Sequence, residues 1–370
     1  MNVAAHPLEW IYGTTHADPP ACVAPEAATA GLDDAAVPML DRIERAMGAL
    51  CAEAAGSPLQ QMACEHLQAG GKRLRARLAF DAALLAGACE HDAVWWGAAC
   101  ELLHNATLIH DDLQDGDAVR RGQPALWARH GAAQAINAGD LLLMLPYAAL
   151  AKMRTPAPAI AALSACISRR TVATACGQAI ELDANVRVDL SWSAYVDAAW
   201  GKTGQFFALP IEGALLCGGA DAEEALHVAE AFAWVGVVFQ IIDDVVDLYG
   251  LKGRGEPGAD IKEGKLSSLV VQHLMLAPAD RDWLLSVLQA PRDATSASDV
   301  EAVRARFVES GALDATLEII RRGRDFVSQH PHLHARPALR AMGLHVLDRS
   351  AHSIHQLLAD RVSDALRELA

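Results

Sequence analysis

Residues Ala93 to Asp117 read AVWWGAACELLHNATLIHDDLQDGD, and this stretch decides the fold class. Its first two thirds are mostly apolar at helical period, with no polar face wide enough for solvent. Such a helix has to be interior, covered by other helices. It ends in four carboxylates within seven residues, Asp111, Asp112, Asp115 and Asp117. Residues 230–247, EAFAWVGVVFQIIDDVVD, repeat the design and end in Asp243, Asp244 and Asp247.

Outward from these two stretches the pattern is helix after helix. Leu40, Ile43, Met47 and Leu50 form one face of a helix over 37–53. A further helix starts near Lys72, after Gly70-Gly71. Others are expected at roughly 124–134, 137–153, 157–178, 192–217, 265–276, 280–288, 297–309, 311–328 and 336–367. Pro and Gly clusters separate them, as at Pro156, Gly218-Gly219 and Gly250 to Gly258. No strand alternation and no fixed-period repeat is visible. Alanine-rich composition, 52% hydrophobic residues and only 5% aromatic ones favour helices further. The expectation is all-α: a single large helical bundle over 35–370, preceded by a flexible tail at 1–34 that is rich in Pro, Ala and Gly.

The net charge of −15 argues against nucleic acid as a partner, because a phosphate backbone demands a basic face. It does not exclude an anionic substrate if cations lie between protein and ligand. The eight cysteines form no CxxC pair and sit mostly in apolar helical stretches, so they read as buried thiols in a reducing compartment. The start, MNVAAHPLEW, does not read as a signal peptide, and apolar runs such as Ala231 to Ile242 are too short to span a bilayer. A cytoplasmic protein without a transmembrane segment is expected.

Asp111 and Asp115 are i and i+4 and share a helix face, as do Asp243 and Asp247. Like charges at that spacing destabilise a helix by roughly 0.2–0.5 kcal/mol. Partial burial raises the cost, and a bound cation offsets it. All-oxygen donors suit hard ions, above all Mg²⁺, which keeps several waters and bridges a few carboxylates to substrate phosphates. Asp117 lies about 240° round the helix from Asp111, so Asp115 is the better ligand. The basic groups cluster beside glycines. Lys72 and Arg75 are i and i+3 after Gly70-Gly71, a turn able to present N–H groups to an anion. Arg120-Arg121-Gly122 follows the first acidic cluster. Gly201-Lys202-Thr203-Gly204 places two costly glycines inside a helical pattern, and Lys265 closes the run Asp260-Ile261-Lys262-Glu263-Gly264.

Taken together, GGKRLR at 70–75, ELLHNATLIHDDLQD at 101–115, RRG at 120–122, NAGD at 137–140, GQ at 177–178, KTG at 202–204, FQIIDD at 239–244 and GADIKEGK at 258–265 resemble the trans-isoprenyl diphosphate synthases, the polyprenyl synthetase family. The likeness runs from about 38 to 360. It implies an all-α bundle around a deep central cavity, normally a homodimer. It implies Mg²⁺-dependent head-to-tail condensation of isopentenyl diphosphate with an allylic diphosphate (dimethylallyl, geranyl or farnesyl). Three Mg²⁺, with Mn²⁺ as the alternative ion, are implied at Asp111, Asp115 and Asp243, supported by Asp112, Asp244 and Asp247. Arg120, Lys202, Lys265 and Gln240 are implied as contacts of the allylic diphosphate. Lys72, Arg75, His104 and Arg121 are implied for isopentenyl diphosphate, and Thr203 and Gln240 lie near the reacting carbons in such enzymes. Two departures stand out: Ala76 replaces the usual proline after GGKRLR, and the basic residue before Asp260 is Lys252 or Arg254.

In that family, bulky aromatic side chains four and five residues before the first aspartate stop chain growth early. Here those positions are Thr107 and Ala106, which are small, and Leu103 and Leu102 lie a further turn back. A C20 product is expected, with C15 or C25 and above as alternatives. A class I terpene cyclase would carry a different second metal motif and lack the second basic cluster. A non-catalytic partner subunit would lack one aspartate motif.

Overall fold

The computed structural model describes residues 38–187, 191–250, 258–292 and 294–358. The tail expected at 1–34, and the Lys252 and Arg254 alternatives, lie outside the described residues. The described residues divide into two compact units, one within 38–169 with 209–229 and one within 170–208 with 230–358.

The first unit contains α1 (Met39–Cys51), α2 (Pro58–Gln68), α3 (Leu74–Leu85), α4 (Glu90–Gln114), a short hairpin β1 (Val119–Arg120) and β2 (Gln123–Pro124), α5 (Leu126–His130) and α6 (Ala132–Leu150). It also takes the start of α7 (Ala157–Arg187) and most of α9 (Gln205–Cys217). The long helix α4 is its axis and packs against α6, α3 and α1. Trp96 on α4 is fully buried and donates its indole N–H to the Pro210 carbonyl at 2.9 Å. Gly213 leaves room for that ring: a Cβ there would stand 1.8 Å from Trp96 Cζ2. At the N-terminal end of α4, Asp92 accepts from Arg154 N and Thr155 Oγ1, both at 2.7 Å, which ties down the α6–α7 connection.

The second unit holds the rest of α7, α8 (Trp192–Ala199), a π-helical turn at Trp200–Gly204, most of α10 (Ala222–Tyr249), α11 (Ala259–Lys262), α12 (Ser268–Leu276), α13 (Arg281–Leu288), α14 (Ala297–Glu309), α15 (Ala312–Gln329), α16 (Pro331–His334) and α17 (Pro337–Ser350). Four glycines bring α7, the π turn and α10 into close backbone contact. A Cβ on Gly177 would lie 2.3 Å from Lys202 N, one on Gly201 2.5 Å from Gly177 Cα, and one on Gly236 2.7 Å from Gly204 Cα. Only hydrogen fits at these contacts, so α7, the π turn and α10 share a backbone-to-backbone seam.

The all-α expectation holds, with local corrections. The run expected at 192–217 is broken by the π turn, whose extra residue per turn re-aims the side chains around it. Gly131, with φ +86°, divides the expected 124–134 helix into α5 and the start of α6. α7 continues to Arg187, and α17 ends at Ser350. The hairpin had no signal because its strands are two residues each. α10 is long and apolar enough to cross a membrane by length and composition, contrary to the reading of its central run alone; 67% of its apolar window is buried, as in a core helix. The cysteines are not uniformly buried thiols: Cys64 is disulfide-bonded, and Cys89 and Cys176 are exposed, although Cys51, Cys100 and Cys166 are free and buried.

The Trp96–Gly213 contact sets one expectation. Gly213→Ala overpacks a core with no slack, which costs on the order of 1–3 kcal/mol. The urea midpoint of the variant should fall measurably below that of the wild type; an unchanged midpoint would contradict the packing described for α4 and α9.

Candidate active site

In the first unit the carboxylates sit where α4 ends. Asp115 is the C-cap, with φ −85° and ψ −8°, and its N–H donates to the Asp111 carbonyl at 2.8 Å. Asp111 and Asp115 therefore keep the helical i, i+4 relation read from the sequence, and both side chains are half-buried. Asp112 differs, being buried and gripped by Arg120, whose Nε donates to Oδ1 at 2.7 Å and whose Nη2 reaches the same oxygen. Burial raises the Asp112 pKa even against that guanidinium. Asp117 is fixed through its backbone: its N–H donates to the Asp112 carbonyl, and its carbonyl accepts from Trp127 Nε1, both at 2.8 Å.

The basic motifs of this unit come together around two strained residues. Among the described residues, Arg73 (φ 49°) and Arg121 (φ 53°) are the non-glycine positions in the left-handed region, a conformation costing roughly 1–2 kcal/mol. Strain of this kind collects where surroundings over-determine a functional backbone. The Arg121 guanidinium lies against Gly71, where a Cβ would be 2.7 Å from Cζ, so the Gly-Gly turn and the RRG motif touch. Arg73 is buried. Its Nε donates to Glu44 Oε1 at 2.5 Å and its Nη2 to the Leu67 carbonyl at 2.6 Å, while Nη1 lies 3.6 Å from Glu101 Oε1. Glu101 Oε2 in turn accepts from Ala76 N at 3.1 Å, in the first turn of α3. Burial opposes the charge on Arg73, but Glu101 and Glu44 outweigh it and raise its pKa.

Two histidines report the local field. Burial, then Arg75, Arg121, Arg120 and Arg73, hold His104 well below the usual histidine range. Burial, then Arg121, Arg120 and Arg73, push His66 down to about 3. Both rings are neutral at pH 7. This corner of the first unit gathers Arg73, Arg75, Arg120 and Arg121 around the two rings, with Arg73 paired to Glu44 and Arg120 to Asp112. Further back along α4, Leu103 and Ala106 are fully buried, and Thr107 donates its hydroxyl to the His104 carbonyl at 2.9 Å.

In the second unit a chain of hydrogen bonds crosses the π turn. Thr203 Oγ1 donates to Gln240 Oε1 at 2.8 Å, and Gln240 Nε2 donates to Asp244 Oδ1 at 3.0 Å. Asp244 Oδ2 accepts from Tyr195 OH at 2.8 Å and from Ser268 N at 2.7 Å. Burial pushes its carboxyl up to about 6 despite these donors. Asp243 and Asp247 are half-buried. Asp247 Oδ2 accepts from Asp260 N at 3.2 Å, and burial together with Asp247 and Asp244 raises the Asp260 carboxyl well above its ordinary range. Lys202 pairs with Glu181 at 2.6 Å, and Lys265 with Glu263 at 2.6 Å.

The two motifs thus share one division of labour. The second aspartate of each, Asp112 or Asp244, is buried and bound to protein, and the first and fifth are half-buried, Asp247 also accepting from Asp260 N. The donor set is oxygen only, which fits Mg²⁺. Among the described residues no three or more His, Cys, Asp or Glu side chains are gathered into a cage; Mg²⁺ does not require one when substrate phosphates complete its shell. Tyr195, Ser268, Glu181, Asp260, His66 and the Glu44–Arg73–Glu101 group were not singled out as site residues from the sequence. Their partners lie far away in the chain, so no local spacing marks them.

Known proteins share this arrangement of elements. A short chain isoprenyl diphosphate synthase from Methanothermobacter thermautotrophicus is 31% identical over 291 residues, covering 78% of this chain and 89% of that protein. A geranylgeranyl diphosphate synthase from Sulfolobus acidocaldarius is 31% identical over 249 residues, covering 66% of this chain and 75% of that one. The crystal structure of geranylgeranyl pyrophosphate synthetase from Pyrococcus horikoshii superposes with a TM-score of 0.72 at 26% identity, over 87% of this chain and 98% of that one. Residues 57–306 match the family described as Polyprenyl synthetase, and the chain belongs to that family.

Proposed function

We propose that this prenyltransferase joins isopentenyl diphosphate head to tail to an allylic diphosphate (dimethylallyl, geranyl or farnesyl) and releases a trans-polyprenyl diphosphate, chiefly C20. The observation that carries this reading is the basic cluster of the first unit. A cyclase, which takes one diphosphate, has no use for a second basic cluster; an enzyme that takes two does. In this reading Lys72, Arg75, Arg121 and neutral His104 bind isopentenyl diphosphate, with His104 acting as a hydrogen-bond partner rather than a cation. Arg120, held on Asp112, and Lys202 and Lys265, which exchange their present carboxylate partners for phosphate oxygens, neutralise the allylic diphosphate. Thr203 and Gln240 stand near the reacting carbons, with the Gln240 amide oriented by Thr203 and Asp244.

Asp111 and Asp115 in the first unit, and Asp243 in the second, are proposed as ligands of Mg²⁺, three ions in all, with Mn²⁺ as the alternative. Asp112, Asp244 and Asp247 hold the two motifs in shape. Bound Mg²⁺ supplies Lewis-acid activation of the leaving diphosphate. The allylic C–O bond breaks and diphosphate departs with its electron pair, the double bond of isopentenyl diphosphate attacks the allylic carbon, and the departed diphosphate takes the proton that the new chain loses. The apolar cavity that the family resemblance implies would exclude water that quenches the cation.

Residues 35–370 are proposed to form one prenyltransferase domain, because the matched family stretch runs through both units. A homodimer is proposed on the exposed apolar residues of α6 (Ile136 and Met144) and of α7 (Val172 and Ile180). A cytoplasmic setting is proposed on the six free cysteines among the described residues, against which the disulfide-bonded Cys64 stands.

Three measurements test this reading. Asp111→Ala and Asp243→Ala should each lower kcat at least 10²–10³-fold, on the order expected for one lost charge-stabilising group. Near-normal turnover in Mg²⁺ would remove the metal assignment. Lys72→Ala and Arg75→Ala should raise KM for isopentenyl diphosphate more than for the allylic partner; equal rises would contradict the two-site division. Ala106→Phe should shorten the main product by at least one C5 unit, since one helical turn of about 5.4 Å matches one isoprene unit. An unmoved product spectrum would place the floor of the chain channel elsewhere.

A further inference from the structure

We propose that Arg73 is a positioning residue for isopentenyl diphosphate, acting through the turn that carries Lys72 and Arg75 rather than by touching substrate. The inference rests on the functional reading above. Lys72 precedes Arg73 and Arg75 follows it two residues on, in the first turn of α3, so the conformation of Arg73 sets the direction of Lys72 relative to Arg75. That conformation is left-handed, which an arginine does not adopt without outside help. The help comes from three sides. The guanidinium is buried and donates to Glu44 on α1 and to the Leu67 carbonyl on α2, and it lies beside Glu101 on α4. Glu101 also accepts from Ala76 N, so the same carboxylate that attracts Arg73 fixes the first turn of α3 behind it. Three helices thereby converge on one side chain, and the Gly70-Gly71 turn is pinned from below while Arg121 packs on Gly71 from the other side. Arginine suits the task because its fork reaches several acceptors at once; a lysine ammonium on a flexible stem does not hold them in one geometry.

The arrangement also explains why a buried arginine so near an anion subsite would not be a ligand. Its Nε and Nη2 are committed to Glu44 and the Leu67 carbonyl, its buried Nη1 faces Glu101 at 3.6 Å without a hydrogen bond, and the two carboxylates neutralise its charge.

The test compares wild type, Arg73→Lys and Glu44→Gln by steady-state kinetics with each substrate varied, alongside circular dichroism and thermal melts. Misplacing a binding group by about 1 Å costs up to 10²-fold. Arg73→Lys should therefore raise KM for isopentenyl diphosphate about 10-fold or more, with the allylic KM within about 2-fold of wild type. Glu44→Gln should shift the same constant in the same direction by a smaller factor. Its sign is diagnostic: if Arg73 itself bound diphosphate, removing a neighbouring negative charge would lower KM. A lowered KM, equal rises for both substrates, or reduced melting temperatures with unchanged kinetics would each overturn the proposal. If Arg73→Lys does not fold, Glu44→Gln decides alone. A wild type that does not consume isopentenyl diphosphate would instead defeat the functional reading on which the proposal rests.

Discussion

Carboxylates concentrated at the end of an apolar helix repel one another and lose solvation, and much of the polar structure of both units answers that cost. In each motif one aspartate is taken out of the problem. Asp112 is paired with Arg120, and Asp244 is held by Tyr195, Ser268 and Gln240. The remaining carboxylates keep their helical spacing and their access to solvent. A rigid scaffold that leaves first and fifth aspartates half-exposed is what a hydrated Mg²⁺ can use, because that ion surrenders few of its waters.

The same economy appears in the backbone. Glycines 177, 201, 204 and 236 bring α7, the π turn and α10 to a separation that no side chain permits. That seam places Thr203 on Gln240 and leaves Lys202 on Glu181. In the first unit, Gly71 gives the Arg121 guanidinium its seat, and Gly139 gives His110 one, since a Cβ there would be 2.1 Å from His110 Nε2. The glycines flanking the motifs are thus part of how charged groups reach their positions.

What the sequence revealed and what it hid follow from range. The two aspartate motifs and the Lys72–Arg75 pair depend on spacings of three to five residues, so they were legible at once. The all-α class was legible because apolar helices such as α4 and α10 have no other way to be buried. The π turn was half visible: two glycines in a helical run signalled a cost, but not that the helix would change its hydrogen-bond register. The Tyr195–Asp244 bond, 49 residues apart, and the Arg73–Glu44 pair, 29 apart, leave no periodic trace.

The central proposal is that two diphosphates react here, one held by the basic cluster of the first unit and one activated with Mg²⁺. The most direct measurement is to incubate the purified protein with Mg²⁺, isopentenyl diphosphate and each allylic diphosphate in turn, then follow diphosphate release and identify the dephosphorylated products. The account predicts linear trans-prenyl alcohols, chiefly C20, with one diphosphate released for every five carbons added. Cyclic hydrocarbons formed without consumption of isopentenyl diphosphate, or no turnover of either substrate, would contradict it.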